Sequence, residues 1–158
     1  MTKRILPLHE IRTRWAGHSW IDAYVRASQK LEHWLAAPLA LGLRLYVAQV
    51  FWRSGMLKLE SWDSTLYLFQ HEYHVPLLPP AVAAVFGTAG ELGFSCLLAL
   101  GLFGRLGALG LFCVNLVAAN TFPDISDLGL QDHWLWGVIL LVLLVHGPGR
   151  WSVDERWK

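Results

Sequence analysis

Apolar residues are concentrated in four stretches of the chain, each long enough to cross a lipid bilayer as an α-helix. Pro80 stands at the entry to the second stretch, where a helix tolerates proline in its first turn. Gly147-Pro148-Gly149 follows the fourth stretch and is a strong helix stop. The pattern predicts an all-α fold, a four-transmembrane-helix bundle, with spans at about 36–57, 81–103, 106–122 and 131–147.

Two further segments have a different pattern. Between residues 18 and 35 the apolar side chains fall near one helical face, which is typical of an amphipathic helix on a membrane surface. We therefore predict that residues 1–35 are a cytoplasmic segment with an N-terminal amphipathic interfacial helix, and that residues 36–158 form the membrane domain. Residues 61–75 are too short and polar to span, and are predicted to cap the outer side as a re-entrant or interfacial helix.

Composition agrees with a membrane protein, since 54% of the residues are hydrophobic and only 16% are charged. The formal net charge of +1 argues against nucleic acid as a partner. Ten of the 13 Lys and Arg residues lie before the first span, between the second and third, or after the fourth. The positive-inside rule then predicts a multi-pass protein with an even number of spans and both termini in the cytoplasm.

Glu91 is the one charged residue within the second span. A carboxylate at the centre of a transmembrane helix costs about 2.5–3.5 kcal/mol, so it should face protein or water and have a partner. Depth along the helices places Glu91 within reach of Arg44 or Arg53. We predict the pair Glu91–Arg44, because Arg53 can extend toward the outer surface, and we expect Asn115 at a similar depth to bond the pair.

The helical positions of span one allow only one of the two arginines to point straight at Glu91. Arg44, Phe51 and Lys58 share one face, and Arg53 lies about 180° from Arg44. The buried pair has two interpretations, which the sequence leaves open. One is a structural salt bridge that fixes helix register, and the other is a polar cavity for protons, a quinone headgroup or a small substrate.

The cysteines and histidines give weaker signals. Cys96 and Cys113 have no metal-binding spacing, and their helix positions favour packed, inert thiols. His71 and His74 have the spacing of two metal ligands, but no third ligand is assured, so no metal site is predicted. His133 and His146 are too far apart along span four to hold one haem.

Three segments together resemble the DoxX family: residues 43–80, residues 89–112 with Glu91 and a Gly-Leu-x-x-Arg motif, and residues 146–155. Shorter pieces (SGxxK, EYxVPLLPP and DHWLWG) are closest to the HvfX-like subgroup. The resemblance implies a four-helix inner-membrane protein. Some relatives are subunits of thiosulfate:quinone oxidoreductases, and others associate with redox or thiol-stress partners. Arg44, Lys58, Glu91 and Arg105 match the family's polar positions.

The functional hypothesis is a quinone-linked redox component in which Glu91 and Arg44 form the catalytic site. The remaining residues of a polar cavity are predicted to be Asn115, Arg53, Lys58, Glu72 and Tyr73. Arg105 is assigned a structural and topological role. Expected partners are the lipid bilayer and a membrane or periplasmic redox or metal-handling protein. The sequence does not identify a cofactor, and quinone is the candidate. The alternative is a non-enzymatic scaffold or an export factor for a small substrate or metal peptide.

Overall fold

The computed structural model describes residues 19–73, 75–123 and 125–157. These residues form five α-helices, a 3₁₀ turn at Asp154–Trp157 and no strand, which confirms the all-α class. The helices are α1 (Ser19–Glu60), α2 (Trp62–His71), α3 (Pro80–Leu100), α4 (Gly104–Thr121) and α5 (Asp127–His146). Within the described chain, α1, α3 and α5 are long and apolar enough to cross a membrane, so the protein is a multi-pass membrane protein.

The predicted boundary between an amphipathic helix and span one is not a break in α1. The 42-residue helix continues through Pro38, which removes only one backbone donor and is flanked by helix-favouring Ala and Leu residues. Contacts divide the chain into Met1–Ala36 and Ala37–Lys158. In the first unit, large apolar side chains of residues 20–35 are exposed, and residues 1–18 lie outside the described part. The surface role of this segment stays a prediction.

Four helices of the second unit build one apolar core. It is formed by Val47, Ala48 and Phe51 of α1, Leu98 of α3, Ala108 and Leu111 of α4, and Ile139, Leu140 and Leu143 of α5. Glycine allows two of these helices to approach closely, because a Cβ on Gly107 would lie 2.9 Å from the backbone nitrogen of Leu98. The backbones of α3 and α4 are therefore in direct contact at Gly107.

Helix α1 runs antiparallel to α3 in this unit. Arg44 lies against Gly101, just past the end of α3, while Gly55 lies against Leu92. The turn after α3 uses Gly101 at φ +67° and Phe103 at φ +48°. Asp154 fixes this turn, because its carboxylate accepts the backbone N–H groups of Phe103 at 2.7 Å and Gly104 at 2.8 Å.

Helix α2 packs beside the first half of α3. Phe69 of α2 forms a small core with Ala83 and Ala84 of α3. Lys58, near the end of α1, contacts Glu91, eleven residues into α3 or about 16 Å along its axis. Helix α1 thus ends well before the start of α3, and α2 occupies the space alongside α3 that this leaves.

Candidate functional site

Glu91 is paired with Lys58 and not with Arg44. The Lys58 ammonium donates to both carboxylate oxygens of Glu91, each at 2.8 Å, and Ser54 donates to Oε1 at 3.3 Å. Lys58 also donates to Ser54 Oγ at 2.8 Å, which closes a three-membered network. The side chain of Glu91 is 8% exposed and that of Lys58 is 15% exposed. The negative charge of the carboxylate is therefore balanced by one ammonium, and both of its oxygens accept charge-assisted hydrogen bonds.

The direction of helical side chains explains why the predicted pair was wrong. Side chains lean toward the N-terminus of their own helix. Because α1 and α3 are antiparallel, Lys58 leans toward Glu91 and Glu91 leans toward Lys58. Arg44 leans away from Glu91, toward the opposite end of the bundle. The predicted shared face of Arg44, Phe51 and Lys58 is confirmed, but that face carries two cations, and the second one reaches the acid.

Arg44 instead fastens the chain beyond α5. Its Nη1 donates to the carbonyl of Pro148 at 3.0 Å, and its Nη2 donates to the carbonyl of Trp151 at 2.9 Å. The residue is 2% exposed, and Asp154 contributes a nearby negative charge. Arg44 is thus a clamp between α1 and residues 148–154 and takes no part in the network around Glu91.

The Lys58–Glu91 pair borders a cavity of about 230 Å³ between α3, α4 and the 69–78 segment. The cavity wall is otherwise almost entirely apolar, with Phe69, Val75, Leu78, Ala83, Phe86, Gly87, Cys113, Val114, Val117, Ala118 and Thr121. Pockets of this kind, apolar with a few convergent polar groups, are the usual form of a small-molecule site. The cavity is compatible with a flat, apolar ligand that carries a polar atom at one edge.

Tyr73 adds a third polar side chain to the cavity. Its ring stacks on Phe69 at 4.8 Å and lies 5.2 Å from Phe122, measured between centroids. Burial, followed by the negative charges of Glu91 and Glu72, raises the pKa of the Tyr73 hydroxyl above its ordinary value. The phenol therefore stays protonated at neutral pH and remains a hydrogen-bond donor.

Backbone contacts hold both members of the ion pair in place. Thr65 of α2 donates its hydroxyl to the carbonyl of Lys58 at 3.0 Å, which ties α2 to the end of α1. Ser95 donates its hydroxyl to the carbonyl of Glu91, one turn earlier in α3. Gly55 permits the close approach, since a Cβ there would lie 2.7 Å from Leu92 Cγ. The pair is set on rigid helices and not on loops.

Asn115 is not part of this network. Its amide bonds His133 of α5, with Nδ2 donating to the His133 carbonyl at 2.9 Å and Oδ1 lying 2.8 Å from His133 Nδ1. Asn115 lies near the level of Glu91 along the bundle, since Gly90 contacts Val114. Its side chain, however, projects from the face of α4 that is turned away from the first cavity. The contact between Asn115 and His133 was not predicted; the available signal was a second polar residue in the neighbouring span four.

The other predicted residues are dispersed. Arg53 is exposed, Glu72 is half-buried outside the cavity wall, and Arg105 donates to the Val145 carbonyl at 3.2 Å. Cys113 lines the first cavity, whereas Cys96 lies in a different groove beside α1. His71 lies on Tyr67, with ring centroids 4.3 Å apart, and His74 is outside the described residues.

The sequence model of the DoxX family matches residues 39–124, which is more than half of the chain. The chain belongs to the DoxX family. The matched region contains Lys58, Tyr73, Glu91 and every other residue that lines the first cavity. No curated protein and no solved structure matches this DoxX family member. The family match therefore coincides with the first cavity, while His133 lies beyond it.

Proposed function

We propose that this protein is a quinone-linked redox component of a membrane oxidoreductase or stress-response system, and that the first cavity binds the quinone ring. The observation that carries the proposal is the Lys58–Glu91 pair at the edge of an apolar, aromatic-lined cavity. A quinone has a flat apolar ring and two carbonyl oxygens at its edge. The ring would lie among Phe69, Phe86 and Val114, and the Lys58 ammonium would donate to the carbonyl oxygen by exchanging its bond to Ser54 Oγ.

The reaction that this site would serve is reduction of the quinone to a quinol. Two electrons come from a partner redox protein, and two protons are taken up by the two carbonyl oxygens. Lys58 would polarise one oxygen, and the Glu91 carboxylate would take up a proton from water and pass it to that oxygen, while the second proton would reach the other oxygen from water. The Tyr73 hydroxyl is placed at the same cavity as a further donor.

We propose that residues 37–60 of α1, together with α3, α4 and α5, make four spans, with α2 entering the membrane beside α3. The apolar core shared by all four helices and the asymmetry of basic residues support N-in, C-in topology in a bacterial inner membrane. With both cysteines replaced by Ala, new cysteines at Ser64 and Gln131 should react with a membrane-impermeant maleimide from outside. A cysteine at Arg156 should be protected, and the reverse pattern would contradict the topology.

Cys113 provides a direct test of the cavity, because its exposed thiol is part of the cavity wall. Duroquinone is a suitable probe, since all its ring positions are substituted and it does not readily alkylate thiols. In protein carrying Cys96→Ala, duroquinone should slow the reaction of Cys113 with N-ethylmaleimide. Glu91→Gln and Lys58→Met should each weaken this protection.

The matched control is protein carrying Cys113→Ala, in which only Cys96 remains. Cys96 is also exposed but lies in the separate groove with Ala48, Trp52 and Leu100. Its reaction rate should not change with duroquinone. Equal protection of both cysteines would indicate partitioning of the probe into lipid, and no protection of Cys113 would contradict quinone binding in this cavity.

A non-enzymatic scaffold or export factor is the second candidate. The observation in its favour is that both oxygens of Glu91 already have donors, as expected of an ion pair that fixes helix register. Glu91→Gln separates the two functions, because it keeps the shape of the side chain but cannot relay a proton. A redox role predicts normal folded yield with loss of complementation, and a scaffold predicts that yield and complementation change together.

The resemblance to the HvfX-like subgroup supports a partner among small, Cys-rich, metal-handling secreted peptides or redox proteins. Gentle purification followed by mass spectrometry should identify such a partner together with bound quinone. Recovery of neither from the native membrane would count against both the partner and the cofactor.

A further inference from the structure

Asn115, which is buried, and His133, which is half-buried, form a polar pair between α4 and α5 that the quinone proposal does not use. Asn115 is 2% exposed, and its amide group makes two contacts with the same histidine. The His133 ring also meets Trp136 edge to face, with centroids 5.0 Å apart. The imidazole is therefore held in one orientation by an amide on one side and an indole on another.

The amide contacts determine which nitrogen of the imidazole carries the proton. The His133 carbonyl can only accept, so Asn115 must direct its Nδ2 group there and its Oδ1 at the ring. Because Oδ1 is an acceptor, His133 Nδ1 must be the protonated nitrogen. In the neutral ring, Nε2 then carries a lone pair. Nε2 has no hydrogen-bond partner among the described residues.

His133 and Asn115 line a second cavity of about 380 Å³. Apart from polar Asn120, the remaining wall is mainly apolar, with Phe112, Leu116, Leu130, Trp134, Val138 and Leu141. The first and second cavities share no residue and lie on opposite faces of α4. The second cavity is thus lined by an imidazole whose acceptor nitrogen is not used by the described protein residues.

We propose that the cavity between α4 and α5 is a second ligand site, which binds a small apolar molecule of the phenol or hydroquinone class by its hydroxyl group. The hydroxyl donates to Nε2 of His133, and the aromatic body of the ligand packs on the apolar wall. Asn115 is a positioning residue that holds the acceptor tautomer. The site does not depend on the Lys58–Glu91 cavity, so either proposal can fail while the other stands.

The test compares para-hexylphenol with para-hexylanisole, in which a methyl group replaces the hydrogen of the hydroxyl donor. Full-length protein with ¹⁵N-labelled histidine is studied in lipid nanodiscs, and His133→Phe assigns the resonances. We expect an unprotonated Nε2 that shifts on addition of the phenol, with the anisole binding about fivefold more weakly. A proton on Nε2 in the free protein, equal affinity for the two probes, or no shift with either would overturn the proposal.

Two amide variants separate positioning from general polarity of the cavity. Asn115→Ala should release the imidazole, mix the two tautomers and reduce the preference for phenol over anisole. Asn120→Ala is the matched control, because Asn120 lines the same cavity but bonds the Leu116 carbonyl in its own helix. It should keep both the tautomer and the preference. A lost preference for phenol in Asn120→Ala, or an undiminished preference in Asn115→Ala, would contradict the assigned role of Asn115.

Discussion

Helix α1 carries a buried cation, Arg44, and a half-buried one, Lys58, which lie on one helical face about 21 Å apart along the axis. Arg44 binds two neutral carbonyl groups at the end of the bundle where the chain leaves α5. Lys58 binds a carboxylate beside a cavity. The same face of one helix therefore has a purely structural end and an end suited to chemistry.

The chemistry of the two side chains explains this division. A guanidinium keeps its charge and offers several donors in a fixed plane, which suits it to gather carbonyls from separate parts of the chain. An ammonium can lose a proton, and a carboxylate can gain one, when their surroundings change. A buried ion pair is also weak evidence for stability, because desolvation offsets its attraction. The Lys58–Glu91 pair is thus the better candidate for function.

The largest expected effect is that of Glu91→Ala, which leaves the Lys58 ammonium without its acid. Removing one partner of a buried pair costs about 3–5 kcal/mol, and the partial exposure of Lys58 places this variant near the lower bound. The measurement is the free energy of unfolding by denaturant in detergent. Glu60→Ala, at the exposed end of α1, is the control and should change little. Equal stability of the two variants would remove the structural basis of the site.

A smaller loss is expected for Arg44→Ala, which breaks two hydrogen bonds to neutral carbonyls, while the nearby Asp154 keeps its backbone N–H donors. We expect about 2 kcal/mol, together with faster trypsin cleavage after Arg150 as residues 148–154 loosen. Arg53→Ala is the matched control, because that arginine lies on the exposed face of the same helix. If Arg44→Ala and Arg53→Ala are equally stable and equally resistant to trypsin, the clamp does not exist.

The smallest effect is expected for the two cysteines. Both are exposed, and in neither groove do they contact the ion pair, so Cys96→Ala and Cys113→Ala should each change unfolding free energy by under about 0.5 kcal/mol. Complementation by the double variant should match the unchanged protein. Loss of complementation at normal yield would instead indicate a dithiol role.

Much of the membrane domain could be predicted from hydrophobic pattern. The apolar stretches predicted the region of every long helix, because burial in lipid demands such stretches. The continuity of α1 through Pro38 was missed, since a single proline in an otherwise favourable helix need not end it. The family resemblance covered the region that the DoxX model matches.

The candidate site was predicted only in part. Glu91 was found because an acid in an apolar helix must have a partner, and Lys58 was placed on the correct face. The partner was wrong because depth was measured at backbone level, without the lean of each side chain toward its helix N-terminus. Asn115 was expected to bond the Glu91 pair, but it bonds His133 instead. Helix rotation is set by packing, which sequence spacing alone does not reveal.

A pair of double-mutant cycles tests the central claim most directly, namely that Lys58 and not Arg44 is the partner of Glu91. Unfolding free energies are measured for Lys58→Ala, Arg44→Ala, Glu91→Ala and the two double variants that contain Glu91→Ala. We expect a coupling of about 2 kcal/mol between Lys58 and Glu91, and a coupling below about 0.5 kcal/mol between Arg44 and Glu91. A larger coupling for Arg44 than for Lys58 would contradict the account.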